Sequence, residues 1–231
     1  MYFQLDVWTI LMFVALGLGL LAQSSVKRAY AKYLKVPTRQ GLPAEQVVSQ
    51  LLRDHGNDAV FVQPIDGELT DHYDPRNNTL SLSTGVYGSS SVAALAIAAH
   101  EAGHAMQRKE DYAPLALRGV MVPVVNIGSN LSVPIVIAGL MFSIQPLVYV
   151  GIALFAIAVV FALITLPVEF NASARAMRML TQGGYVTGEE ERGARKVLNA
   201  AAMTYVASAI GVVVQLLRLI ALSRGSSRDR R

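Results

Sequence analysis

The 231-residue chain contains no cysteine. That absence removes a disulfide framework, a thiolate metal site and a cysteine nucleophile together, so any bound metal must be held by His, Asp or Glu. Charge is scarce too: Asp, Glu, Lys and Arg make up 16% of the residues while 53% are hydrophobic, against about 25% charged in soluble domains. Both departures point towards lipid. Lys and Arg outnumber the acids 20 to 16, for a net charge of +4. This surplus does not call for nucleic acid, because basic residues beside long uncharged runs orient membrane spans.

The uncharged runs are the dominant pattern. Val7–Val26 carries no formal charge, and its apolar core Val7–Ala22 can cross a hydrocarbon layer of about 30 Å. Met1-Tyr2-Phe3-Gln4 lacks the base of a secretory leader and Ala22-Gln23-Ser24 is a mediocre cleavage signal, so the segment reads as an uncleaved anchor. Residues 119–168 contain no Asp, Glu, Lys, Arg or His; as helix these 50 residues extend about 75 Å, enough for two crossings. Ser143-Ile144-Gln145-Pro146 breaks the run into spans near 120–142 and 147–168, with Pro123 and Pro134 as expected kinks. Asn126, Ser129, Asn130 and Ser132 are expected to face neighbouring helices. Gly128, Gly139 and Gly151 can serve helix contacts within one chain or between chains. A last run, Val197–Leu217, follows Thr187 and the acids Glu189, Glu190 and Glu191, which suit a capped helix start.

The expected organisation is a transmembrane helix over 5–24, a cytoplasmic part over 27–118, and a membrane hairpin over 119–168. A cytoplasmic segment over 169–197, a final span over 198–222 and a basic tail over 223–231 complete it. Residues 23–118 and 169–197 hold 15 of the 20 bases, which puts both on the cytoplasmic side. The tail, with Arg224, Arg228, Arg230 and Arg231, opposes that rule if all four helices cross.

Within 27–118, Pro43–His55 reads as an amphipathic helix with Val47, Val48, Leu51 and Leu52 on one side, Gly56 as its stop and His55 facing the last carbonyls. Ala59–Val62, Glu68–Tyr73 and Thr79–Ser83 read as strands. The third is a candidate edge for an extended substrate. Ser89-Ser90-Ser91 precedes a small apolar run from Val92 to Ala99 that leads into the residues with chemistry.

Those residues are His100-Glu101-Ala102-Gly103-His104, an HExxH pattern. Positions four apart share a helix face, so both imidazoles can reach one zinc ion while Glu101 faces its water. With four His and eight Glu in the chain, chance supplies such a motif about 0.002 times. A catalytic zinc has three protein ligands and one open position. His55 and His72 remain as histidines, but Glu169 is the more attractive third ligand: two crossings return the chain to the side it left, and Glu169 is the first charged residue there. His72, Tyr73, Arg175 and Tyr205 are candidates for oxyanion or substrate contacts.

Gly67–Arg76, Leu80–Ser83, Val86-Tyr87, the HEAGHAMQ segment 100–107 and Leu166–Ser173 together resemble the YugP-type membrane zinc metallopeptidases over nearly the whole chain. More distantly, HExxH, a membrane hairpin and then Glu-Phe-x-Ala resemble the HtpX and CAAX-prenyl-protease group, whose third ligand is a Glu. The resemblance implies that Glu169 is the ligand here. In that wider group an Asp four residues after the Glu supports a ligand; Ser173 stands at that place, so the outer support must differ.

The fold class expected is an α-helical integral membrane protein of about four transmembrane helices with a small α+β zincin-like cytoplasmic domain. The expected activity is a zinc endopeptidase, one Zn2+ per chain, acting on membrane-associated or misfolded proteins, with Glu101 as general base. Its partners are then a protein or peptide substrate and the lipid bilayer, with an oligomer or a partner membrane protein also open. Two alternatives are an intramembrane site-2-type protease, against which Arg108, Lys109, Glu110 and Asp111 follow the motif closely, and a non-catalytic zinc scaffold, for which no fourth ligand is evident beyond His72.

Overall fold

The computed structural model describes residues 6–228, with side chains through Ser223. Met1–Gln4, Arg230 and Arg231 lie outside the described residues, as do the side chains of Arg224 and Arg228. In chain order the elements are α1 (Val7–Tyr33), α2 (Ala44–Asp54), β1 (Phe61–Ile65), β2 (His72–Asp74), β3 (Thr79–Ser83), α3 (Val92–Lys109), α4 (Ala113–Met141), α5 (Gln145–Gln182) and α6 (Glu189–Arg228). The protein is mostly helical, and α1, α4, α5 and α6 are long and apolar enough to cross a membrane. Residues group into two compact units: one takes the chain up to Leu21, Leu117–Leu166 and Thr204 onwards, the other Ala22–Ala116 and Pro167–Met203.

In the first unit, Asp6 starts α1 by accepting the Thr9 amide at 2.7 Å on Oδ1. Helices α4 and α5 meet through their glycines: a Cβ at Gly151 would lie 2.8 Å from the Ser132 carbonyl oxygen, and one at Gly139 would lie 2.8 Å from the Val148 nitrogen. Both glycines therefore serve a contact within the chain. Of the residues expected to face neighbouring helices on α4, Ser132 is buried against α5 and Ser129 is half-buried, whereas Asn126 and Asn130 are exposed. Ser129 and Ser132 turn their hydroxyls onto carbonyls of their own helix, at 2.7 and 2.9 Å. Pro123, Pro134 and Pro167 sit inside helices that continue past them; each removes one backbone bond.

The second unit is built on α3. Helix α2 lays Ala44, Val47, Val48, Leu51 and Leu52 into its core, the i, i+3, i+4, i+7, i+8 pattern of an amphipathic helix. It ends at His55, whose Nδ1 lies 2.8 Å from the Leu51 carbonyl oxygen, and at Gly56 with φ +66°. In the three-stranded sheet β3 is the middle strand, parallel to β1 and antiparallel to β2. The expectation that Leu80–Ser83 offers a free edge is thus overturned, since β3 is paired on both sides and buried throughout. Pro64 fits β1 because that strand is an edge. The second strand is shorter than the sequence suggested: Gly67 and Leu69 adopt φ +108° and +56°, which turns residues 66–71 into a loop. Asp71 ties that loop down by accepting the Ser83 amide and hydroxyl, both at 2.8 Å.

Ser91 caps α3, its Oγ accepting the Ala94 amide at 3.2 Å. The alanines that follow are buried on several sides, as a helix through a core requires. At Gly103 the helix meets α5 so closely that a Cβ there would lie 2.5 Å from the Ala172 carbonyl oxygen. Backbone cannot swing away, so Gly103→Ala is expected to destabilise by about 1–3 kcal/mol, read as a lower Tm in lipid nanodiscs. Gly17→Ala, with nothing within 4 Å of its Cβ, is the control and should leave Tm unchanged or slightly raised.

Candidate metal centre

The α3 register places His100 and His104 on one face, their rings edge to face with centroids 4.8 Å apart. Glu169 enters from α5 and is 2% exposed. Its Oε2 lies 3.2 Å from His100 Nε2 and 3.6 Å from His104 Nε2. Donor atoms around a tetrahedral ion at about 2.05 Å stand about 3.3 Å apart, so the spacing suits one zinc held by two imidazoles and a carboxylate. Ligand atoms of all three residues fall within 4.8 Å of one another. No other such group occurs among the described residues.

Glu101 lies next to this cluster. Its Oε2 accepts the backbone N–H of Tyr73 at 3.0 Å, so edge strand β2 fixes the carboxylate from the side of the sheet. Burial pushes the Glu101 carboxyl above the usual carboxylate range, against the pull of His100 and His104.

Around the ligands the structure supplies partners that the sequence alone did not identify. Ser173 Oγ lies 3.1 Å from His100 Nδ1, so a hydroxyl stands where the wider group carries its Asp. Gln107, with no exposure, has Oε1 3.0 Å from His104 Nδ1. Its Nε2 donates to the Val168 carbonyl at 2.8 Å and to Asn171 Oδ1 at 3.0 Å. A signal for Gln107 existed: it follows His104 by three residues and so shares its helix face.

The four further candidates are distributed differently. Tyr73 contributes its amide to Glu101 while its hydroxyl donates to Asn78 Oδ1 at 2.7 Å. His72 is exposed on β2 with Nδ1 2.9 Å from the Thr70 carbonyl oxygen. Arg175 is engaged by Asn171 Oδ1 at 2.7 Å and Glu110 at 2.7 Å. Tyr205 lies on α6, in the unit of membrane-length helices.

A family model described as "Putative neutral zinc metallopeptidase" matches residues 8–224. The chain belongs to that family. It is also 43% identical over 206 residues, covering 89% of this chain and 92% of the relative, to "Putative membrane protease YugP" of Bacillus subtilis (strain 168). No solved structure matches. The donor set of the cluster fits the zinc that the family name specifies.

Purified protein is therefore expected to carry close to one zinc per chain by elemental analysis. Glu169→Ala should weaken zinc by more than the roughly 10–100-fold typical of removing an outer partner. Undiminished zinc affinity in that variant, measured by chelator competition, would remove Glu169 from the ligand set.

Proposed function

We propose that this protein is a multi-pass membrane zinc endopeptidase whose active site lies on the cytoplasmic side. The observation that carries the reading is the buried Glu169 carboxylate closing on His100 and His104 at metal-ligand spacing, with Glu101 oriented beside them. His100, His104 and Glu169 would hold the ion, which would supply there a Lewis acid for a peptide carbonyl and for the acidification of water towards a pKa of about 7. Everything else falls to the chain. Glu101 takes a proton from the attacking water and later gives it to the leaving amine nitrogen. The Tyr73 amide keeps one Glu101 oxygen in place, which leaves the other as the proton carrier. Among the oxyanion candidates we assign the role to His72, which stands exposed on the same edge strand as Tyr73.

The family and the four membrane-length helices support a membrane protease. Helix α3 is not among those four, which favours a site outside the bilayer over an intramembrane one. The bases of residues 23–118 and 169–197 support the cytoplasmic side, and their nearness to anionic lipid favours membrane-associated substrates.

Glu101→Gln is expected to retain zinc while lowering cleavage of a casein or membrane-peptide substrate by about 10²–10⁴-fold. A Gln variant cleaving at the wild-type rate would overturn the assignment of Glu101. Sidedness has its own test, simplified by the lack of native cysteine. Asn77→Cys, at an exposed turn position, should resist a membrane-impermeant maleimide in intact cells and react after permeabilisation.

A further inference from the structure

The two imidazoles are not supported alike. Ser173 offers His100 a hydroxyl, which can donate or accept and therefore leaves the tautomer of that ring open. Gln107 offers His104 an amide, whose two ends are chemically distinct. Which end faces the ring follows from the partners of the other end. The nitrogen has two hydrogens, and the structure gives each an acceptor: the Val168 carbonyl and Asn171 Oδ1. Turning the amide over would set its oxygen against those two oxygens, at a side chain that has no solvent exposure to offer a replacement donor.

Asn171 cannot relieve the conflict by turning its own amide, because its Oδ1 also accepts from Arg175 Nε at 2.7 Å. Arg175 has only donors, and Glu110, the residue that ends α3, pairs with its Nη1 at 2.7 Å. The sequence Glu110, Arg175, Asn171, Gln107, His104 is thus a hydrogen-bond chain with one consistent arrangement of protons. It laces α3 to α5 at His104, Gln107 and Glu110 on one helix and Val168, Asn171 and Arg175 on the other.

We infer that Gln107 is a positioning residue that keeps the proton of His104 on Nδ1 and turns the Nε2 lone pair towards Glu169, with Asn171, Arg175 and Glu110 preventing the amide from flipping. Resting on the metal reading of the cluster, this deepens it: the ligand competence of His104 is set from the end of α3, through Arg175. The arrangement also gives Arg175 a role other than direct contact with substrate.

The test uses Gln107→Met, which fills similar space without an amide, so that a packing role alone would survive it. Zinc affinity by chelator competition is expected to fall about 10–100-fold. Full-length protein labelled with ¹⁵N-histidine in nanodiscs has only four histidines to resolve. The wild type should show an exchange-protected His104 Nδ1 proton, and the variant should lose it. Asn171→Ala, which leaves the amide one of its two acceptors, should shift both readouts the same way with an affinity loss of roughly 2–10-fold, and it serves if Gln107→Met fails to fold. Unchanged zinc affinity together with a still-protected ring proton would overturn the inference. Failure of the wild type to bind zinc would overturn the metal reading instead; the ring proton of the metal-free protein then decides this inference by the same criterion.

Discussion

The closeness of α3 and α5 is the constraint on which the site depends. Glycine at 103 allows the α5 backbone to lie against α3 at Ala172. Glu169, one turn earlier on α5, can then reach two imidazoles one turn apart on α3. The HExxH pattern leaves its two middle positions open, and in this protein both are filled for packing. Ala102 is fully buried in the core, and Gly103 is the contact surface. Gly103 shares its helix face with His100, His104 and Gln107, so the contact with α5 and the chemistry use one face of α3 while Ala102 fills the core on another.

Bringing those groups together creates an electrostatic demand. An ionised carboxylate with 2% exposure is expensive unless a positive partner or several donors meet it. His104 cannot meet it as a neutral ring if its proton sits on Nδ1 against Gln107, because Nε2 then presents a lone pair to Glu169. A proton or a metal ion between the two atoms removes that conflict. Burial alone would lower the titration of His104, but the nearby Glu169 and Glu101 carboxylates raise it overall. The same concentration of negative charge favours a divalent ion in the cluster.

The architecture was readable where long-range composition decides it. Three uncharged runs, the middle one broken near residues 143–146, became four membrane-length helices, because hydropathy and length set that outcome. Local signals fared unevenly. The amphipathic α2 follows from its apolar spacing, whereas the second strand contracted to His72–Asp74 because residues 66–71 spend their hydrogen bonds on a loop. The place of β3 in the middle of the sheet was invisible, since strand order is set by pairing between distant residues and not by the strand itself. In the site, the motif spacing named His100, Glu101 and His104, and hairpin topology named Glu169. Gln107 shares the helix face of His104 and Ser173 stands at the place of the wider group's Asp, but neither residue type announces a role until its distance to a ring nitrogen is known.

Delivery of the third carboxylate by α5 has an energetic consequence of its own. Glu169 follows Pro167 and Val168 on a helix whose preceding residues are apolar for many turns. Without the imidazoles, its charge would have to be hydrated or neutralised at that place on the helix. With them, the carboxylate is enclosed, and any cation that binds the cluster stabilises the folded unit selectively, because the unfolded chain has no such trio assembled. Metal affinity and the stability of the α3–α5 contact are thus linked quantities: a substitution that loosens the helix contact at Gly103 also separates the ligands, and a cation that neutralises Glu169 strengthens the contact in turn.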